Sequence, residues 1–180
     1  MRKVVLIMTA SIDGFVAAPD GIAVGGVPEP AELKRWKLER IRRAGTHIMG
    51  RVSYLEMAKF WPKSSDDYAA PMNEIPKVVF SKTLKEATWP DSSIASGDLA
   101  EEVAALREQP GGEIIAWGGA GFAQALAKAR LIDEYVLVTR PIAYGGGKPL
   151  FLDLDEAMQF EALATTTYPS GTLLRQYEPR

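Results

Sequence analysis

The chain begins with an uninterrupted apolar run, Val4 to Thr9, rich in β-branched residues. A run without polar alternation predicts a central strand buried on both faces. It breaks at Asp13-Gly14, and a glycine-rich stretch through Asp20-Gly21 and Gly25-Gly26-Val27-Pro28 follows. The period then changes. From Ala31 to Arg43, Leu33, Trp36 and Ile41 fall near one side, with Lys34, Arg35, Lys37 and Arg40 elsewhere, which predicts an amphipathic helix. Short strands are expected at Thr46 to Met49, Lys77 to Ser81, Ser92 to Ala95, Glu113 to Trp117 and Tyr135 to Thr139. Helices are expected at Arg51 to Lys59, from the capping-box-like Asp98-Leu99-Ala100-Glu101 to Gln109, and from about Phe122 to Ala129, with 61–67 as loop. Gln159 to Tyr168 and Thr172 to Tyr177, joined by Pro169-Ser170-Gly171, form a hairpin pattern. Strand–helix alternation followed by a terminal hairpin implies an α/β fold. Its central sheet is mostly parallel, with helices on both faces and an antiparallel edge.

Composition narrows the chemistry. The chain has 180 residues and 47% hydrophobic content, which suits one domain spanning 1–180 that buries its own core. It contains no cysteine, so disulfides, thiolate catalysis and cysteine-ligated metals are excluded. One histidine, His47, excludes multi-histidine metal sites, and its place within a strand suggests packing rather than catalysis. A net charge of −2 gives no support for nucleic acid or an anionic membrane as partner. The charged-then-apolar N-terminus is too short for a signal peptide and reads as a first strand, so a cytoplasmic location is expected. The basic run Lys34, Arg35, Lys37, Arg40, Arg42 and Arg43 reads as a solvated helix face that could also guide a phosphorylated substrate.

Three turns carry candidate chemistry. In Trp117-Gly118-Gly119-Ala120-Gly121-Phe122 a buried strand ends and small residues open a helix. Backbone N–H groups there attract phosphate, although a tight turn with glycines at positive φ explains the same residues. The G-x-G-x-x-G spacing fails at Gln124, and a P-loop reading of Gly147-Lys148 fails at Ile142 and Pro149. Met49-Gly50-Arg51-Val52-Ser53 repeats the strand–glycine–helix pattern, now with a guanidinium able to grip phosphate. Phe80-Ser81-Lys82-Thr83 adds two hydroxyls and an ammonium, or simply caps a turn. All three fall at the carboxyl ends of expected parallel strands, where open α/β sheets bind ligands.

With those residues in place, the chain resembles the dihydrofolate reductase-like superfamily. The closer likeness is to the branch related to the reductase half of the bifunctional riboflavin-biosynthesis deaminase–reductase. The resemblance runs through Ser11 to Ala17, Met49 to Tyr54, Pro76 to Leu84, Trp117 to Ala120, Leu131 to Tyr135, Pro141 and Gly145 to Phe151. It implies a three-layer dihydrofolate reductase-like fold and an NADPH-dependent reductase of a pterin-like heterocycle or ribosylaminopyrimidine. It further implies that Gly118, Gly119, Ala120 and Gly121 hold the pyrophosphate, and that Gly50, Arg51 and Ser53 contact the cofactor phosphates. Ser81, Lys82 and Thr83 would meet the adenosine 2′-phosphate, with Thr9, Val16 and Ala17 beside the nicotinamide. Glu32 stands near the family's substrate-gripping carboxylate and is the expected catalytic proton donor; a first-turn glutamate favoured by the helix dipole accounts for it as well. Without cysteine or room for a deaminase domain, the bifunctional enzyme is not expected. A homodimer is, because the terminal hairpin offers a sheet edge. A non-catalytic nucleotide-binding module on the same fold is the alternative.

Overall fold

A computed structural model describes residues 1–180. The strands are β1 (Val4–Ser11), β2 (Phe15–Ala17), β3 (Thr46–Gly50), β4 (Lys77–Phe80), β5 (Ser92–Ala95), β6 (Ile114–Ala116), β7 (Glu134–Arg140), β8 (Lys148–Pro149), β9 (Phe160–Thr167) and β10 (Leu173–Pro179). The helices are α1 (Ala31–Ile41), α2 (Arg51–Phe60), α3 (Ala69–Glu74), α4 (Leu99–Glu108) and α5 (Ala120–Lys128). Eight strands form one sheet in the order β5-β4-β3-β6-β1-β7-β10-β9. The pairings from β5 to β7 are parallel, and the last two are antiparallel. No helix is long and apolar enough to cross a membrane.

The apolar run at the start of the chain takes the centre of this sheet. β1 lies between β6 and β7, and Val4, Val5 and Leu6 are fully buried. Successive side chains point to opposite faces. Val4 and Leu6 join Val103 and Leu106 of α4 and Ala123 and Leu126 of α5. Val5 and Ile7 join Leu33 and Ile41 of α1, Tyr54 of α2 and Met72 of α3. Helices therefore cover both faces, as the sequence pattern implied. The fold is that expected: α/β, with three layers and a C-terminal antiparallel hairpin.

Three elements differ from the sequence expectation. Residues 61–67 are not all loop: Trp61–Lys63 forms a 3₁₀ turn, and α3 follows at Ala69. β2 and β8 pair antiparallel as a small separate ribbon. These segments are too short to show a period. Helix α5 starts at Ala120 rather than Phe122, so the small residues lie inside its first turn.

The basic run is also more engaged than a solvated face. Arg40 donates to both carboxylate oxygens of Glu113, at 2.9 and 3.0 Å, and to both of Glu134, at 2.5 and 2.8 Å. Lys34 bridges Asp66 and Asp67. The Arg40 clamp joins α1 to the starts of β6 and β7, at the end of the sheet away from the strand-to-helix turns.

Candidate active site

Strand β3 runs into α2 through Gly50, and β6 runs into α5 through Trp117 to Gly119. Both N-caps are glycines, neither helix has a side-chain cap, and neither has an acidic residue in its first turn. Helix α4 shows the ordinary solution. The Asp98 carboxylate accepts from the amides of Ala100 and Glu101, and Glu102 accepts from the Gly97 amide. The reciprocal arm of that cap thus comes from Glu102, not from Glu101 as the sequence suggested. The first-turn amides of α2 and α5 have no such intrachain acceptor, so they leave two partial positive charges for an incoming anion.

The two turns interlock. A Cβ on Gly50 would lie 2.9 Å from Cβ of Phe122, and one on Gly119 would lie 3.3 Å from Oγ of Ser53. Only glycine at Gly50 lets the β3–α2 turn approach α5 this closely. A Cβ on Gly121, by contrast, would meet nothing within 4 Å. Gly121 is also one of the residues that line a cleft of about 910 Å³.

The cleft brings together ten of the anticipated residues: Thr9, Val16, Ala17, Gly50, Arg51, Ser53, Gly118, Gly119, Ala120 and Gly121. Its opposite wall is the β2 ribbon and the 20–24 loop. That wall is tied in place by Asp13, whose carboxylate accepts from the amides of Tyr144 and Gly145 at 3.0 and 2.7 Å. Asp13 therefore acts across the chain rather than only within its own turn.

Ser81, Lys82 and Thr83 do not line the cleft. They follow Phe80, which is in register with Gly50, so they sit beside the Gly50–Arg51 turn at the same end of the sheet. Ser81 Oγ accepts from the amides of Thr83 and Leu84 at 3.2 and 2.9 Å, which makes it the cap of this turn. Lys82 is exposed.

Glu32 lies near the start of α1. It is exposed and does not border the cleft; the α1 residue that does is Lys37. Five residues along an α-helix amount to a rotation of about 140°, so the two side chains leave α1 in different directions. Lys37 donates to Oε1 of Glu29 at 2.7 Å, and the Tyr68 hydroxyl donates to Oε2 of the same carboxylate at 2.9 Å. Burial first, and then the Glu29 charge, push the Tyr68 phenol well above its usual range.

Sequence reasoning gave no site role to Met57, which lies in no motif, or to Lys148, which lies in the Gly145 to Phe151 stretch; both line the cleft. Trp117 lines it as well. Its indole N–H donates to Nδ1 of His47 at 3.0 Å, and Nε2 of His47 faces the Pro71 carbonyl at 3.3 Å. The Nδ1 atom must accept, so the ring proton sits on Nε2. His47 is fully buried, and burial lowers its pKa to about 4.

Comparison with known proteins places these features in a family. Residues 2–174 match the model of the RibD C-terminal domain. The uncharacterized protein YyaP of Bacillus subtilis (strain 168) is 26% identical over 177 residues, covering 96% of this chain and 92% of its own. Among solved structures, a Shewanella sp. PV-4 protein named for riboflavin biosynthesis superposes with a TM-score of 0.79 at 24% identity, over 100% of this chain and 99% of that one. Dihydrofolate reductase from Enterococcus faecalis, solved with NADP(H), gives 0.66 at 16% identity, over 99% and 96% of the two chains. At these identities the structural likeness establishes the shared dihydrofolate reductase-like fold. The sequence match goes further, and on it the chain belongs to the RibD C-terminal domain family.

Proposed function

We propose that this chain is an NADPH-dependent reductase of a nitrogen heterocycle, formed as one domain over residues 1–180. The observation that carries this reading is the pair of interlocked, glycine-capped helix N-termini beside Arg51, open to the cleft. Two uncapped helix ends and a guanidinium are the donor set a pyrophosphate needs. A side chain at Gly121 would enter open space at the border of this cleft. Gly50, Arg51, Ser53 and Gly118 to Gly121 hold the phosphates, and Thr9, Val16 and Ala17 border the nicotinamide end. Ser81 shapes the turn that presents Lys82 and Thr83 to an adenosine 2′-phosphate. When bound, NADPH supplies the hydride. The chain's own contribution is to orient the two reactants and, through the apolar β2 wall, to exclude water. The exposed edge of β9 supports a homodimer.

Calorimetric titration of the purified chain with NADPH and NADH tests the coenzyme assignment. NADPH binds more tightly, and Lys82→Ala removes about tenfold of that preference while sparing NADH, since a charge-assisted contact is lost for one ligand only. Equal weakening of both coenzymes, or no heat with either, overturns it.

A further inference from the structure

Helix α1 offers the cleft one side chain, and it is a cation, Lys37. Its surroundings fix it in place. Lys37 and Glu29 are only 15% and 21% exposed, so this is not a loose surface pair. Glu29 is itself held by the Tyr68 hydroxyl, and the Lys37 ammonium lies 5.2 Å from the Tyr68 ring centre. Both oxygens of Glu29 are therefore occupied within the protein, one by Lys37 and one by Tyr68. An ammonium has three donors and no acceptor, so Lys37 keeps donors for a ligand beyond the one given to Glu29.

A second cation sits behind this group. Arg140, only 8% exposed, has no carboxylate partner; it donates to the Pro28 carbonyl at 3.2 Å and the Thr172 hydroxyl at 3.4 Å, and its Nε has no partner. Its charge reaches Tyr68, where it opposes the upward effects of burial and Glu29 on the phenol.

We propose that Lys37 is the specificity-determining residue at the substrate end of the cleft, selecting a heterocycle that turns an anionic, acceptor-only edge toward α1. Such an edge is an ionised lactam or a ring carboxylate. The amidine edge of an aminopyrimidine or pterin, which offers N–H donors, meets a donor from α1; the carboxylates that line the cleft, Asp20 and Glu56, come from the 20–24 loop and α2. This selectivity deepens the reductase reading and rests on it for the word substrate; the ligand preference itself does not.

The test is calorimetry on the full chain at pH 7.5, with and without saturating NADPH, using two pyrimidine probes. Barbiturate is anionic at that pH and presents the two exocyclic oxygens flanking its C5 as acceptors; 2,4-diaminopyrimidine presents amino donors. Barbiturate is expected to bind about tenfold tighter or more, the scale of one charge-assisted hydrogen bond. Lys37→Met is expected to abolish the difference and Lys37→Glu to reverse it. Thermal melts establish that each variant is folded, and Lys37→Gln serves if the methionine variant is not. Tighter binding of the diamine by the wild type, a preference that survives Lys37→Met, or binding of neither probe overturns the assignment. A chain that binds no NADPH yet keeps the barbiturate preference refutes the reductase reading and leaves Lys37 standing.

Discussion

Gly121 separates what the fold needs from what a ligand needs. A Cβ there touches no protein atom, whereas one on Gly50 would collide with Phe122. Gly121→Ala is therefore expected to raise stability slightly, by up to about 1 kcal/mol, because alanine loses less backbone entropy in a helix. The same methyl group is expected to weaken NADPH binding, and a melt paired with a titration reads both. His47 gives a second residue-scale expectation. Its pKa falls from 6.5 to about 4 on burial, so between those values the unfolded chain binds a proton that the folded chain refuses. Stability then rises with pH across that window and is flat with respect to His47 above and below it. The difference is on the order of 3 kcal/mol. Denaturant midpoints from pH 4.5 to 7.5 are expected to show a smaller slope in His47→Gln than in the wild type. The same burial explains why His47 was legible as packed from its place within a strand, while its bond to Trp117, 70 residues away, was not.

The clearest contrast between elements is in how the helices begin. Helix α4 is capped by its own Asp98, and Asp98→Ala is expected to cost about 1 kcal/mol in a denaturation experiment without altering coenzyme affinity. Helices α2 and α5 lack side-chain caps; the glycines before them were readable from Met49-Gly50-Arg51 and Gly118-Gly119-Ala120, although the start of α5 was expected two residues later. The main strands were readable too, because apolar runs bounded by glycine leave little choice. The side of α1 that faces the cleft was not. Hydrophobic periodicity locates the buried stripe of Leu33 and Ile41, but a lysine enclosed by Glu29 and Tyr68 looks in sequence like any solvated lysine. The ribbon of β2 and β8 was equally hidden, since two or three residues carry no alternation and their pairing joins distant segments.

At the scale of the whole molecule, one sheet links nearly every element, so a single unfolding transition is the expected behaviour. Its outer strand β9 is exposed from Glu161 to Thr167 and contains neither lysine nor proline to discourage pairing. Sedimentation is expected to find a dimer, and Leu163→Lys, at a position 47% exposed, is expected to return it to a monomer. A wild-type monomer removes that assembly without touching the cleft. The central place of β1 has a consequence for biosynthesis. Its partners are Ile114 to Ala116 on one side and Glu134 to Arg140 on the other. During translation this greasy segment stays unmated until strands more than a hundred residues further along have left the ribosome. Productive closure of the sheet therefore waits for the arrival of the far half.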